Sequence, residues 1–121
     1  MAKQLIISTT NDLVQIAPEN IVYISSDGNY SSIVQTDGEV RMVTYQLGTI
    51  ETLISKQLGK EYGRQFIRIG RSMIINRSYV YYINVTKQKL TLSDIRTFSH
   101  TVSASKEALK QLKEEIEKSI K

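Results

Sequence analysis

The stretch FIRIGRSMIIN, residues Phe66–Asn76, decides how the rest of the chain is read. Seven of its eleven residues suit a buried strand or a small packed turn, yet Arg68 and Arg71 stand among them and Ser72 follows at once. In a continuous strand, residues three apart face opposite sides. Gly70 between the arginines invites a turn instead, because glycine enters turn conformations at little steric cost. FIRI and MIIN then read as strands joined by a short loop that presents Arg71 outward. Arginine carries a planar fork of donors that matches phosphate or the edge of guanine. Ser72 can add a phosphate contact. The competing use of either arginine is an ion pair with Glu51, Glu61 or Asp94.

Working outward, the first ninety-odd residues read mainly as strands. QLIIST and DLVQIA are short β-rich runs separated by a polar break, and the second ends at the only proline, Pro18. NIVYISS has apolar residues on both faces, as a strand buried on both sides requires. DGNY follows as a turn. YSSIVQT and EVRMVTY flank Asp37-Gly38, a strong hairpin signal. SYVYYINV is strand-like, and KLTLS pairs with it or with RTFSHTV. Connections this tight favour antiparallel pairing.

Two segments change period. Leu47, Ile50, Leu53, Ile54 and Leu58 stand at helical spacing, and Gly59 fits a helix stop. A helix over about Gln46–Leu58 follows. From Ser105 the period is helical again, with Leu109, Leu112, Ile116 and Ile120 as an apolar stripe among Lys, Glu and Gln.

Composition bounds the function. The 121 residues suit one domain over the whole chain, 40% are apolar and 23% charged, and there is no cysteine. No disulfide framework or thiolate metal site can therefore form. No apolar run approaches a bilayer-spanning length, and the N-terminus lacks the long apolar core of a signal peptide. The expectation is a cytoplasmic protein. The formal net charge is +4, and its excess is central: from Lys56 to Lys89 there are eight basic residues and one acidic residue, Glu61. That balance permits nucleic-acid binding.

Catalytic machinery is not visible. The glycines are scattered singly, so there is no phosphate-cradling loop. The one histidine, His100, lies in a strand-like run and reads as a packed residue. Asp12, Asp27, Asp37 and Asp94 mark turns.

Four segments in order carry a family resemblance: NIVYISSDGNYSSIVQTDG, YQLGTIETL, FIRIGRSMIINRSYVYYI and VSASKEALKQL. Over about residues 10 to 116 the chain resembles the LytTR family of DNA-binding domains. The most specific part resembles the family's arginine-x-histidine-arginine-serine-x-x-x-asparagine block, here Arg68, Gly70, Arg71, Ser72 and Asn76.

The resemblance implies a mainly β fold, an elongated stack of small antiparallel sheets with a short central helix and a C-terminal amphipathic helix. It implies a bacterial transcriptional regulator, with no cofactor, whose loops enter successive major grooves of double-stranded DNA at imperfect direct repeats in promoters. By position, the first DNA-facing loop falls at Asn29, Tyr30 and Ser31. The second falls at Arg68, Gly70, Arg71 and Ser72, and the third at Ser103, Ser105 and Lys106. Simpler readings make Tyr30 a core aromatic, and Ser72 and Asn76 turn stabilisers. The chain departs from the family pattern at Gly70, where histidine is common, and at Ala104, where arginine is common. These departures suit an alternative, a protein-interaction module or antagonist with weakened DNA binding. A homodimer, or pairing with a related regulator on DNA, would fit either reading. A sheet-based ligand binder has only the β composition behind it. The phosphorylated receiver that precedes most such domains does not fit within the chain.

Overall fold

The computed structural model describes residues Lys3–Ile120. Strands β1 (Leu5–Ser8) and β2 (Leu13–Ile16) form a hairpin. Strands β3 (Ile21–Asp27), β4 (Tyr30–Gln35) and β5 (Val40–Val43) run as a meander, then helices α1 (Leu47–Leu58) and α2 (Lys60–Gln65) intervene. Strands β6 (Phe66–Ile69) and β7 (Met73–Asn76) complete a five-stranded antiparallel sheet in the order β5-β4-β3-β7-β6. Strands β8 (Val80–Asn84), β9 (Lys89–Ser93) and β10 (Ser99–Ser103) make a three-stranded antiparallel sheet, and helix α3 (Lys106–Lys118) closes the domain. KLTLS therefore pairs with both of its candidate neighbours.

The central strands β3 and β7 are buried on both faces, which explains their near-continuous apolar runs. Ile24 stands opposite both Ile33 and Ile74, so these three share one face. They join Leu47, Ile50, Ile54 and Leu58 of α1 and Leu5, Ile7 and Ile16 of the first hairpin in one buried cluster. Ile75 stands opposite Tyr23 and Ile67 on the other face. That face packs on Leu90 and Leu92 of the second sheet and Leu109 and Leu112 of α3. The expected helix spacings thus select the buried positions of α1 and α3. Each Leu or Ile sealed in this way contributes about 1.5–3 kcal/mol relative to exposure.

Helix α1 lies where the spacing places it, Leu47–Leu58 with Gln46 as its N-cap, and two other expectations are corrected. After Gly59, at φ +94°, the chain re-enters a helix, α2, that the apolar pattern does not reveal because none of its residues is buried. Ile120 is not part of the α3 stripe: it lies beyond the helix end and is 72% exposed.

Candidate nucleic-acid interface

One end of the five-stranded sheet gathers the loops singled out in the sequence. Strand β7 is antiparallel to both β3 and β6, so the β3–β4 turn and the β6–β7 turn share that end. The Ser26 N–H donates to the Ser72 carbonyl at 2.8 Å and ties the two together. Gly70 in turn lines a groove of about 300 Å³ with Ala108, Gln111 and Leu112 of α3. Ile69 and Met73 share a cluster with Val102, Ala104 and Ala108. The junction of β10 and α3 therefore flanks the β6–β7 turn, and the three predicted loops meet at one edge of the molecule.

The arginine puzzle has a geometric answer. Gly70 adopts φ +59°, the left-handed conformation that glycine takes without a Cβ penalty, and the chain reverses there. Arg71 and Ser72 are exposed in the turn. Arg68 instead stands on the α1 face of β6. Its Nη1 bonds Glu51 Oε1 at 2.9 Å and its Nη2 donates to the Arg71 carbonyl at 3.1 Å. The ion-pair use foreseen with Glu51 thus holds for Arg68, and the same guanidinium braces the turn that displays Arg71.

The other predicted residues divide in the same way. Asn29 is exposed, and Tyr30 is 47% exposed at the start of β4, so Tyr30 is not a core aromatic. Ser31 is turned inward: it is fully buried, and its hydroxyl donates to the Tyr45 carbonyl at 2.7 Å. Ser103 and Lys106 are exposed. Ser105 caps α3, its Oγ accepting from the Ala108 N–H at 3.1 Å. Ala104 packs against the second cluster. So Asn29, Tyr30, Gly70, Arg71, Ser72, Ser103 and Lys106 face outward, while Arg68, Ser31 and Ser105 hold loops in place.

The β8–β9 turn joins this edge and was not singled out from sequence. Gln88, at φ +57°, and Ala104 exchange two hydrogen bonds: Ala104 N–H to Gln88 O and Gln88 Nε2 to Ala104 O, each 3.3 Å. Lys89 stands opposite Ser103, and Lys87 is exposed beside them. The concentration of basic residues in the middle of the chain was a signal, but only strand pairing brings Lys87 and Lys89 beside Lys106. Ion pairs among the described residues are Arg68–Glu51 and Lys113–Glu117. Arg71, Lys87, Lys89 and Lys106 therefore present charge without an internal partner. Asp27 is the one exposed carboxylate in the β3–β4 turn.

The opposite end is chemically different. Asn76 is 1% exposed; its Nδ2 donates to the Ile21 carbonyl at 2.8 Å, and its Oδ1 accepts from Gln65 Nε2 at 2.7 Å and the Ser78 N–H at 3.0 Å. Asn76 is the turn stabiliser foreseen in sequence. Asp94, in the β9–β10 turn, accepts from Thr97 Oγ1 and from the N–H groups of Arg96, Thr97 and Phe98. The Thr97 hydroxyl first, and then these amides, hold its carboxyl well below the usual carboxylate range. Tyr79 donates to the Glu19 carbonyl at 2.5 Å, and burial raises its phenol above the ordinary value. His100 packs between Tyr23 and Phe98, with ring centroids at 5.8 and 5.7 Å. Among the described residues no cluster of three or more His, Asp or Glu is placed to hold a metal ion, and no helix is long and apolar enough to cross a membrane.

Comparison with known proteins bears on the fold and the family. No curated protein matches the chain at a significant level. A solved structure described as the LytTr DNA-binding domain of a methyl-accepting/DNA response regulator from Bacillus cereus superposes with a TM-score of 0.65 at 19% identity. The match covers 94% of this chain and 96% of that one, and it shows a shared fold. The family description LytTr DNA-binding domain matches residues 11–117. With residues 11–117 matched, nearly its whole length, the chain belongs to the LytTr DNA-binding domain family.

Proposed function

We propose that this domain binds duplex DNA in a sequence-specific way as a bacterial transcriptional regulator, with its loops in successive major grooves at imperfect direct repeats. One observation carries the reading: the outward-facing loop residues and four basic side chains without internal partners share one edge of a LytTr domain. Arg71 is the base reader, because its fork is exposed and its turn is braced from behind by Arg68. Lys87, Lys89 and Lys106 neutralise phosphates on either side. Arg68, Ser31 and Ser105 position these groups.

Selection of bound sequences from a random duplex pool tests the reading. An enriched motif with two similar half-sites is the expected result. Log affinity should fall linearly with log salt at a slope of about −3, as about three phosphate contacts require. Gly70 favours a second reading, since it offers no donor where the family commonly has histidine. No enrichment at low salt, together with a flat salt response, would replace DNA binding by a protein-interaction role.

A further inference from the structure

Strand β5 is a free edge of the five-stranded sheet, paired on one side only, with β4. The Gln35 N–H donates to the Glu39 carbonyl at 2.9 Å, and the same register sets Ile33 opposite Arg41. Hydrogen-bonded positions alternate along an antiparallel pair. Arg41 and Val43 therefore turn their backbone groups toward β4, as Glu39 turns its carbonyl while its N–H donates to Asp37 Oδ1, and Val40 and Met42 turn theirs outward. Val40 and Met42 are also apolar side chains that are 59% and 56% exposed. Glu39 and Arg41 are exposed on either side of Val40 and have no ion-pair partner among the described residues.

We propose that a second copy of this chain adds to this edge, β5 against β5 in antiparallel sense, with the two Val40 residues opposite one another. The backbone phase is correct, because both Val40 N–H and C=O groups point out of the sheet and can be exchanged across the twofold axis. The charges select the register. Centred on Val40, each Glu39 faces the Arg41 of the other copy, and symmetry makes that pair twice. Centred on Met42, the backbone phase is equally good, but Arg41 meets Val43 and both charge pairs are lost. Any register centred on Glu39 or Arg41 has the wrong phase. The two five-stranded sheets become one continuous sheet across the axis.

The pairing has a geometric consequence. Antiparallel strands place the loop ends of the two copies in opposite directions. On the DNA-binding reading, such a dimer suits two separate duplex segments and not neighbouring repeats on one. The β5 contact itself does not depend on that reading.

Sedimentation of the full chain over a concentration series into the millimolar range tests it. A reversible monomer–dimer equilibrium is expected. Glu39→Arg and Arg41→Glu, each setting like charges opposite at two places, should weaken association at least about threefold. The double swap should restore it. Val40→Lys should reduce association by about tenfold or more, as a lysine on an edge strand does. The chain has no cysteine, so a Val40→Cys thiol can cross-link only to another copy. Paired Cα atoms would lie about 5.5 Å apart, within disulfide reach. Tyr81→Cys, exposed on β8 of the other sheet, is the control and should cross-link much more slowly. Since all these positions are exposed, melting curves should match the parent. A monomer at every concentration, association indifferent to the charge swap, or equal cross-linking by the two cysteines would each overturn the proposal.

Discussion

Strand β7 has a different neighbourhood at each end, although both ends belong to one short block of sequence. At its start, Ser72 and Arg71 leave the sheet in an exposed turn, held by Arg68 and by one backbone bond from Ser26. At its finish, Asn76 is sealed from water and tied to β3, to α2 and to the turn that follows. Both Arg71 and Asn76 are polar and belong to one sequence block, where Arg71 reads as an outward donor and Asn76 as a turn stabiliser. Their environments separate them. A buried amide with matched partners fixes geometry, whereas an exposed guanidinium without a carboxylate is free to meet a ligand.

Substitutions should separate the two ends. Asn76→Ala strands the Ile21 carbonyl and the Gln65 amide inside the protein, so urea unfolding should show a loss of about 2–4 kcal/mol. The fraction that stays folded should bind DNA with unchanged preference. Arg71→Ala should do the reverse. Its melting temperature should stay near the parent's, while affinity for the selected site falls by about 1–3 kcal/mol and preference relaxes at one base position. If Arg71→Ala lowers stability and leaves base preference intact, the division between the ends is wrong. Arg68→Ala should fall between them. Its exposed pair with Glu51 is worth less than about 1 kcal/mol, and the loosened turn should weaken all sequences alike.

Much of the fold was legible because apolar period and turn chemistry agree along most of the chain. The continuous apolar run that marks β3 and the stripe that marks α3 both follow from the cores they must face. Helix α2 escaped because it packs only Tyr62, half-buried, on the core and so leaves no periodic trace. Ile120 misled because spacing continues past the point where the helix stops. The candidate site was less legible than the fold. Sequence could nominate Ser31, Ser105 and Arg68, but only three-dimensional partners show that their polar atoms are already engaged. Lys87 and Lys89 were counted as charge and not placed, since the Gln88–Ala104 bonds that bring their turn to the α3 start are long-range.

Gly70 offers a smaller and two-sided test. A Cβ added there would meet no atom within 4 Å, so a side chain has room. The backbone is left-handed at φ +59°, which costs a non-glycine residue about 1 kcal/mol or somewhat more. Gly70→His should therefore melt lower by about that amount and bind duplex DNA about 1 kcal/mol more tightly through a new donor at the reading turn. Lower stability without tighter binding would mean that this turn does not approach the DNA.

The smallest effect separates the ends by pH. Asp94 belongs to the β9–β10 turn, beside the β4–β5 turn and away from the reading edge, as the shared hollow lined by Asp37, Gly38, Thr97 and Phe98 shows. Its carboxyl is held below the ordinary range, first by the Thr97 hydroxyl and then by neighbouring amides. A carboxylate with a depressed folded value adds stability that is fully present above its unfolded value of about 3.9 and is lost as the pH falls below it. Urea midpoints of the parent and Asp94→Asn, measured at neutral pH and again near pH 3, give the comparison. The parent should be the more stable at neutral pH, and the gap should narrow near pH 3. A gap that stays constant would mean that the Asp94 charge, as distinct from its turn geometry, contributes nothing to holding that end together.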